Sequence, residues 1–267
     1  MAGASILDAF KLTDRVAIVT GAGRGIGRGI ALAFAEAGAH VVCAARTESQ
    51  VEETAELVRE RGRDALPVSC DVTVTEQLEA LVAAARERFA RLDVLVNNAG
   101  GWPPKPALQT TEREFEKAFR FNVTQAFLLT QMCVPQMVES AGGGAVVNIS
   151  SRAGGMVQKA FVAYGTAKMA LNFMTKNLAF ELAPKVRVNA IAVGGVETDA
   201  LKVVLTNPEI RKQLERNTPM QRIGRVEDIA ACALYLASPA ASWVTGKIFE
   251  VDGGSESPAF LVPTPPL

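Results

Sequence analysis

The sequence predicts an α/β fold, a doubly wound seven-stranded parallel sheet with helices on both faces. Three observations predict it. Seven short apolar runs alternate with longer amphipathic stretches along the 267 residues, and such alternation builds a parallel sheet. The short runs are apolar at every position rather than every second one, as strands covered on both faces are. No linker, repeat or composition shift divides the chain, so one domain is expected over residues 1–254. A Pro-rich tail follows at 255–267, with four prolines in its last ten residues, expected to be extended, disordered or draped over a neighbouring subunit.

Taken in order, Arg15 to Thr20 (RVAIVT) is β-rich and ends in a glycine cluster, which marks the first strand. Ile26 to Ala37 reads as a helix and His40 to Ala45 as the second strand. Glu48 to Arg61 is a charged helix, followed by a strand at Leu66 to Cys70. Glu76 to Phe89 is a helix, and Asp93 to Asn97 (DVLVN) the fourth strand. One long helical stretch from Thr111 to Met137 leads to the fifth strand, Ala145 to Ile149, which Ser150 and Ser151 close. A helix from Val162 to Leu182 precedes Val186 to Ile191, and a last helix, Glu227 to Ala237, precedes Lys247 to Val251.

Residue counts narrow the chemistry. Lys+Arg and Asp+Glu are 28 each, so there is no basic excess for nucleic acid. His40 is the single histidine, too few imidazoles for a multi-histidine zinc site and a poor basis for a Ser-His-Asp hydrolase or a histidine switch. Proton transfer must run on Tyr, Lys, Ser, Cys or carboxylates. Cys43, Cys70, Cys133 and Cys232 include no C-x-x-C pair, which argues against a zinc ribbon or dithiol site. They read as reduced core residues of a cytoplasmic protein, and no metal is expected. Met1 to Lys11 has no basic region before a long apolar stretch, so no signal peptide is expected. No uncharged apolar run of about 18 residues suggests a transmembrane helix.

After the first strand comes Thr20-Gly21-Ala22-Gly23-Arg24-Gly25-Ile26-Gly27. A glycine-rich turn from strand to helix brings backbone N–H groups against a pyrophosphate at the positive end of the helix. The spacing is G-x-x-x-G-x-G at Gly21, Gly25 and Gly27, not G-x-G-x-x-G; an ordinary Gly-rich turn is the alternative. A site for NAD usually carries Asp or Glu about 20 residues on, to hold the ribose 2′-hydroxyl. Here that place reads Ala44-Ala45-Arg46-Thr47. Arg46, with Arg24 in the loop, suits a 2′-phosphate instead, so NADP(H) is the expected cofactor and NAD(H) the alternative.

Tyr164 and Lys168 stand four apart on an expected helix and share a face. A tyrosine phenol has a pKa of about 10; a neighbouring ammonium lowers it toward a proton-transfer role. The other tyrosine, Tyr235, sits in an apolar helix and reads as core. Ser150, Ser151 and the Asn97-Asn98-Ala99-Gly100 turn reach the same carboxyl edge of the sheet, where open α/β folds place ligands. Asn122 is a buried polar candidate whose plainer role is a helix-bending hydrogen bond.

From about Leu12 to Gly254 these motifs, in this order, resemble the short-chain dehydrogenase/reductase family. They are T-G-x-x-x-G-I-G at Thr20 to Gly27, Asp71-Val72, N-N-A-G at Asn97 to Gly100, then Asn122, Ser151, Tyr164 and Lys168. The resemblance implies a single Rossmann-like domain and selects Ser151 over Ser150, since the family's serine lies thirteen positions before its tyrosine. It implies that Tyr164 is the general acid/base and that Lys168 tunes it and holds the nicotinamide ribose. Ser151 would polarise the substrate carbonyl and Asn122 would fix a relay water. The cofactor would meet Gly21, Arg24, Gly25, Ile26, Gly27, Arg46, Asp71, Val72, Asn98, Ala99, Gly100, Tyr164, Lys168, Gly194, Val196 and Thr198, with Asp71 and Val72 at the adenine. The family usually has Pro-Gly where this chain has Val193-Gly194, which puts that loop's rigidity in question.

The second half, with Gly101 to Pro106, resembles bacterial 7α-hydroxysteroid dehydrogenases. Glu197 to Met220 is then the substrate lid, with Leu201, Val203, Val204 and Leu205 as its apolar face and Trp102 lining the same pocket. The function so implied is an oxidoreductase moving a hydride between NADP(H) and a secondary alcohol or ketone on an apolar substrate, a steroid-like one included. Family habit and two apolar helices suggest a homotetramer. A 3-oxoacyl-carrier-protein reductase is the alternative, though Arg120 and Lys159 are scattered for a docking surface. A non-catalytic cofactor-binding regulator is the other, against which the intact Ser151, Tyr164 and Lys168 argue.

Overall fold

The computed structural model describes residues 5–198, 206–259, 262 and 264. Seven parallel strands run β1 Val16–Thr20, β2 His40–Ala45, β3 Ala65–Ser69, β4 Val94–Asn97, β5 Gly144–Ser151, β6 Val186–Val193 and β7 Ile248–Val251. They lie side by side in the order β3-β2-β1-β4-β5-β6-β7. From β1 the chain winds outward one way through β2 and β3, then returns to β4 and winds the other way. The carboxyl ends of β1 and β4 therefore meet at the point where the winding reverses, the crevice that open α/β sheets give to ligands.

The continuously apolar strands face two cores at once. In β1, Ala17 and Val19 join one cluster while Val16 and Ile18 join the other. The first cluster packs under α1 (Gly25–Glu36), α2 (Glu48–Arg59) and α8 (Val226–Ala237), around Ile30, Phe34 and Leu236. The second packs under α3 (Thr75–Phe89) and α5 (Gln125–Ala141), around Leu78, Leu81, Leu129 and Met137. At the amino edge of the sheet, buried Asp93 accepts from the Val16 amide at 2.9 Å and from two nitrogens of Arg91 at 2.8 and 2.7 Å.

Expected boundaries hold within two residues for most elements. The largest departure is the stretch from Thr111 to Met137, which is not one helix. It divides into α4 (Glu112–Phe119), a π-helical turn at Arg120–Thr124, and α5. α4 begins with a capping box in which Thr111 Oγ1 accepts from the Glu114 amide at 3.3 Å. α6 spans Val162–Leu182, as expected. In the expected lid, α7 (Pro208–Asn217) is capped by Asn207, whose Oδ1 accepts from the Glu209 amide at 3.0 Å. Leu201, Val203, Val204 and Leu205 lie outside the described residues. No helix among the described residues is long and apolar enough to cross a membrane.

Candidate active site

The carboxyl ends of β1, β2, β4, β5 and β6 open into one cleft of about 530 Å³. Its floor is the glycine loop between β1 and α1. Gly21 has φ +65°, a left-handed conformation that glycine adopts without strain. A Cβ on Gly27 would lie 2.2 Å from the Gly21 carbonyl oxygen, so only a glycine lets the helix start this close to the turn. Three side chains hold the loop, of which only Thr20 was named from the sequence, as the start of the glycine motif. Thr20 Oγ1 accepts from the Asn98 and Ala99 amides, both at 3.0 Å, which ties β1 to the turn after β4. Arg28 donates to the Gly23 carbonyl at 2.6 Å and to both oxygens of Glu53 at 2.9 and 2.7 Å. Thr54 Oγ1 donates to the Ala22 carbonyl at 3.0 Å.

Arg24 precedes the first turn of α1 and Arg46 follows β2; both side chains are exposed and line the cleft. Neither is held in an ion pair among the described residues. The Arg46 guanidinium lies 6.0 Å from the centre of the Phe121 ring. Arg46 also lines an adjoining recess with Asp71, Thr73, Trp102 and Phe121. Burial raises the Asp71 carboxyl, but hydrogen bonds from Thr73 and the charge of Arg46 bring it net below its ordinary value. Asp71 thus stands in the recess beside the cleft rather than in its wall, and Trp102 lines that recess with it.

At the far end of the cleft stand Ser151, Tyr164 and Lys168. Ser150 is committed to structure, buried and donating to the Lys168 carbonyl at 3.4 Å. Ser151 Oγ, its neighbour, accepts from the Ala153 amide at 3.2 Å and faces Tyr164. Lys168 is buried; its Nζ donates to the Ile149 carbonyl at 2.8 Å and lies 5.7 Å from the Tyr164 ring centre. Burial lowers Lys168 to about 7. Burial also raises the Tyr164 phenol, and the group that pulls it back is Ser151 through a hydrogen bond. Ser151 is thus the neighbour that offsets the burial of Tyr164, while Lys168 lies beside the ring with its own charge destabilised by burial.

Asn122 sits in the π-helical turn. Its Oδ1 accepts from the Gly101 amide at 2.8 Å; its Nδ2 donates to the carbonyls of Gly101 at 3.1 Å and Ala118 at 2.9 Å. The side chain is spent on clamping the chain after Gly100. A Cβ on Gly100 would lie 2.9 Å from Asn122 Oδ1 and 3.1 Å from Lys168 Nζ, so both groups press on that glycine.

Of the expected cofactor residues, Gly21, Arg24, Gly25, Ile26, Gly27, Arg46, Val72, Asn98, Ala99, Gly100, Tyr164, Lys168, Gly194 and Thr198 all line the one cleft. Val196 does not. It is buried, bridges to Gly224 and lines a separate cavity with Met220 and Arg222. Asn98 spends its amide on the carbonyls of Thr20 at 2.8 Å and Gly21 at 3.3 Å, which makes it a support of the glycine loop. The close-packed glycine turn, two cations at one end and a Ser-Tyr-Lys group at the other fit a nicotinamide dinucleotide.

Residues 21–256 match the family described as enoyl-(acyl carrier protein) reductase. The chain is 49% identical over 262 residues to an uncharacterized oxidoreductase of Mycobacterium tuberculosis (strain CDC 1551 / Oshkosh), covering 98% of this chain and all of that one. It is 41% identical over 248 residues to the 7alpha-hydroxysteroid dehydrogenase of Escherichia coli (strain K12), covering 92% and 96% of the two chains. A solved 7 alpha-hydroxysteroid dehydrogenase, complexed with NADH and 7-oxo glycochenodeoxycholic acid, superposes with a TM-score of 0.90 at 40% identity, over 93% of this chain and 97% of that one.

Proposed function

The chain belongs to the short-chain dehydrogenase/reductase family and is an NAD(P)-dependent oxidoreductase acting on alcohol groups; we propose that it interconverts a ketone and a secondary alcohol on an apolar, steroid-like substrate, with NADP(H) preferred. The observation that carries this reading is the convergence of Ser151, Tyr164 and Lys168 on the cleft that the glycine loop floors. The glycine-loop amides would hold the pyrophosphate, Asp71 and Val72 the adenine, and Gly194 and Thr198 the nicotinamide end. When bound, the dinucleotide supplies a hydride to the carbonyl carbon and takes one back in alcohol oxidation.

The chain's own residues handle the oxygen. Ser151 donates a hydrogen bond to it and so orients the carbonyl. Tyr164, held protonated by burial, gives its phenolic proton to the oxygen as negative charge develops there. Lys168, at about 7, can take up and release a proton near neutrality and so reprotonate the phenol.

The NADP(H) preference rests on Arg24 and Arg46, exposed and in no ion pair among the described residues, and on the absence of a carboxylate at residues 44–47. The solved relative that holds NADH makes NAD(H) the competing outcome. An acidic carrier as substrate is disfavoured by Arg120, whose donors go to the Thr73 carbonyl at 3.0 and 2.8 Å and to Thr75 at 2.9 Å. The reading includes a homotetramer, supported by Val162, Met169, Phe173 and Phe180, which form an exposed apolar stripe at helical spacing on α6. Four free cysteines suit the reducing cytoplasm. A panel of oxo-steroids, short ketones and carrier-linked 3-oxoacyl groups, assayed with NADPH and NADH, tests the proposal. Turnover confined to carrier-linked substrates would overturn it, and faster turnover with NADH would overturn the cofactor preference.

A further inference from the structure

We propose that Arg152 is a positioning residue, a brace that locks the Ser151 loop to the Gly194 loop through the turn after β7. The inference rests on the reading of Ser151 as the group that orients the substrate. Arg152 directly follows Ser151 and is largely buried, its side chain 13% exposed. It forms ion pairs with Glu250 and, at 2.7 Å, with Asp252, and donates to the Ser255 carbonyl at 3.1 Å. β5 and β7 are separated by β6, so this side chain crosses the end of β6 to make these bonds.

What it crosses is the place where the family's proline is missing. Ser151 pairs with Val193, and Val193 pairs with Val251, so the three stand abreast at the ends of β5, β6 and β7. The Gly194 amide donates to the Val251 carbonyl at 3.0 Å, and a Cβ on Gly194 would lie 2.6 Å from Asp252 Cα. Asp252 is therefore the wall behind Gly194, and Arg152 holds that wall. The same turn reaches the end of the lid segment, where the Met220 amide donates to the Gly253 carbonyl at 3.1 Å. A proline would stiffen the loop by fixing its own φ; here an ion-paired guanidinium stiffens it from outside, coupling the Ser151 hydroxyl to the nicotinamide end of the cleft.

The test compares Arg152→Ala, Arg152→Lys, Asp252→Asn and Ser151→Ala for kcat, KM, cofactor Kd by NADPH fluorescence, and Tm. A misplacement of about 1 Å costs on the order of 100-fold in rate, so Arg152→Ala should lower kcat by about 10- to 100-fold and weaken the cofactor several-fold. Arg152→Lys, which keeps a cation for Asp252, should recover part of both. Because the two residues act as one unit, adding Asp252→Asn to Arg152→Ala should cost little more. If Arg152→Ala fails to fold, Asp252→Asn, which keeps the shape and removes the charge, carries the same test. A folded variant with lower Tm but kcat and cofactor Kd within twofold of wild type would overturn the proposal. Wild-type turnover in Ser151→Ala would sink the reading of Ser151 instead, and the brace would then stand or fall on the cofactor Kd alone.

Discussion

Arg46 and Lys168 carry opposite electrostatic burdens. Arg46 is exposed at the end of β2 and is held in no ion pair among the described residues, so its charge costs little. Arg46→Asp should weaken NADPH binding and improve NADH, a specificity change of roughly 100-fold for a lost charge-assisted pair, read from kcat/KM with each cofactor. Lys168 is buried and lowered from 10.5 to about 7. Between those values the unfolded chain binds one proton more than the folded one, so stability rises with pH across that window. Below about 7 both states are charged and the cost of burial is constant. Lys168→Met escapes the cost, so without cofactor its stability relative to wild type should be higher near pH 6 than near pH 10 by roughly 2–4 kcal/mol. Urea unfolding at the two pH values measures the difference; the lost bond to the Ile149 carbonyl is common to both and cancels. The sequence alone left Ser150 and Ser151 open, and only the family resemblance selected Ser151. Arg28 and Thr54 were not legible, because their partners, the carbonyls of Gly23 and Ala22, become visible only once α1 and α2 pack together.

At the scale of elements, the π-helical turn Arg120–Thr124 does work that a regular helix would not. It sits where Asn122 reaches Gly101 on one side and the Ala118 carbonyl on the other. Asn122→Ala leaves the Gly101 amide and two carbonyls without that partner; it should destabilise the fold by about 2 kcal/mol and slow turnover by about tenfold. Thermal unfolding and steady-state kinetics check the two effects separately. The strands were legible because burial on both faces makes every position apolar, as Val16 to Val19 show. The break in the Thr111–Met137 stretch was legible only as a helix-bending hydrogen bond at Asn122, which donates to the Ala118 carbonyl; its extent was not, because Arg120 to Thr124 contains no proline or glycine to mark it.

For the whole molecule, the sheet order brings the glycine loop, the β2 end and the Ser-Tyr-Lys group to one edge, and Met220 bonds to the turn after β7. α6 presents Phe173 and Phe180 at 64% and 90% exposure, the apolar surface on which the proposed tetramer rests. Phe173→Asp together with Phe180→Asp should reduce the assembly below a tetramer by light scattering, with little change in the melting of each subunit. The alternation of strands and helices made the winding legible, whereas the Arg152 brace was not, because it joins residues about a hundred positions apart. All of this converges on proton transfer by Tyr164, and Tyr164→Phe tests it most directly. The variant should bind NADPH as the wild type does and reduce an oxo-steroid on the order of 1,000-fold more slowly, the scale of a lost general acid. Turnover within threefold of wild type would contradict it.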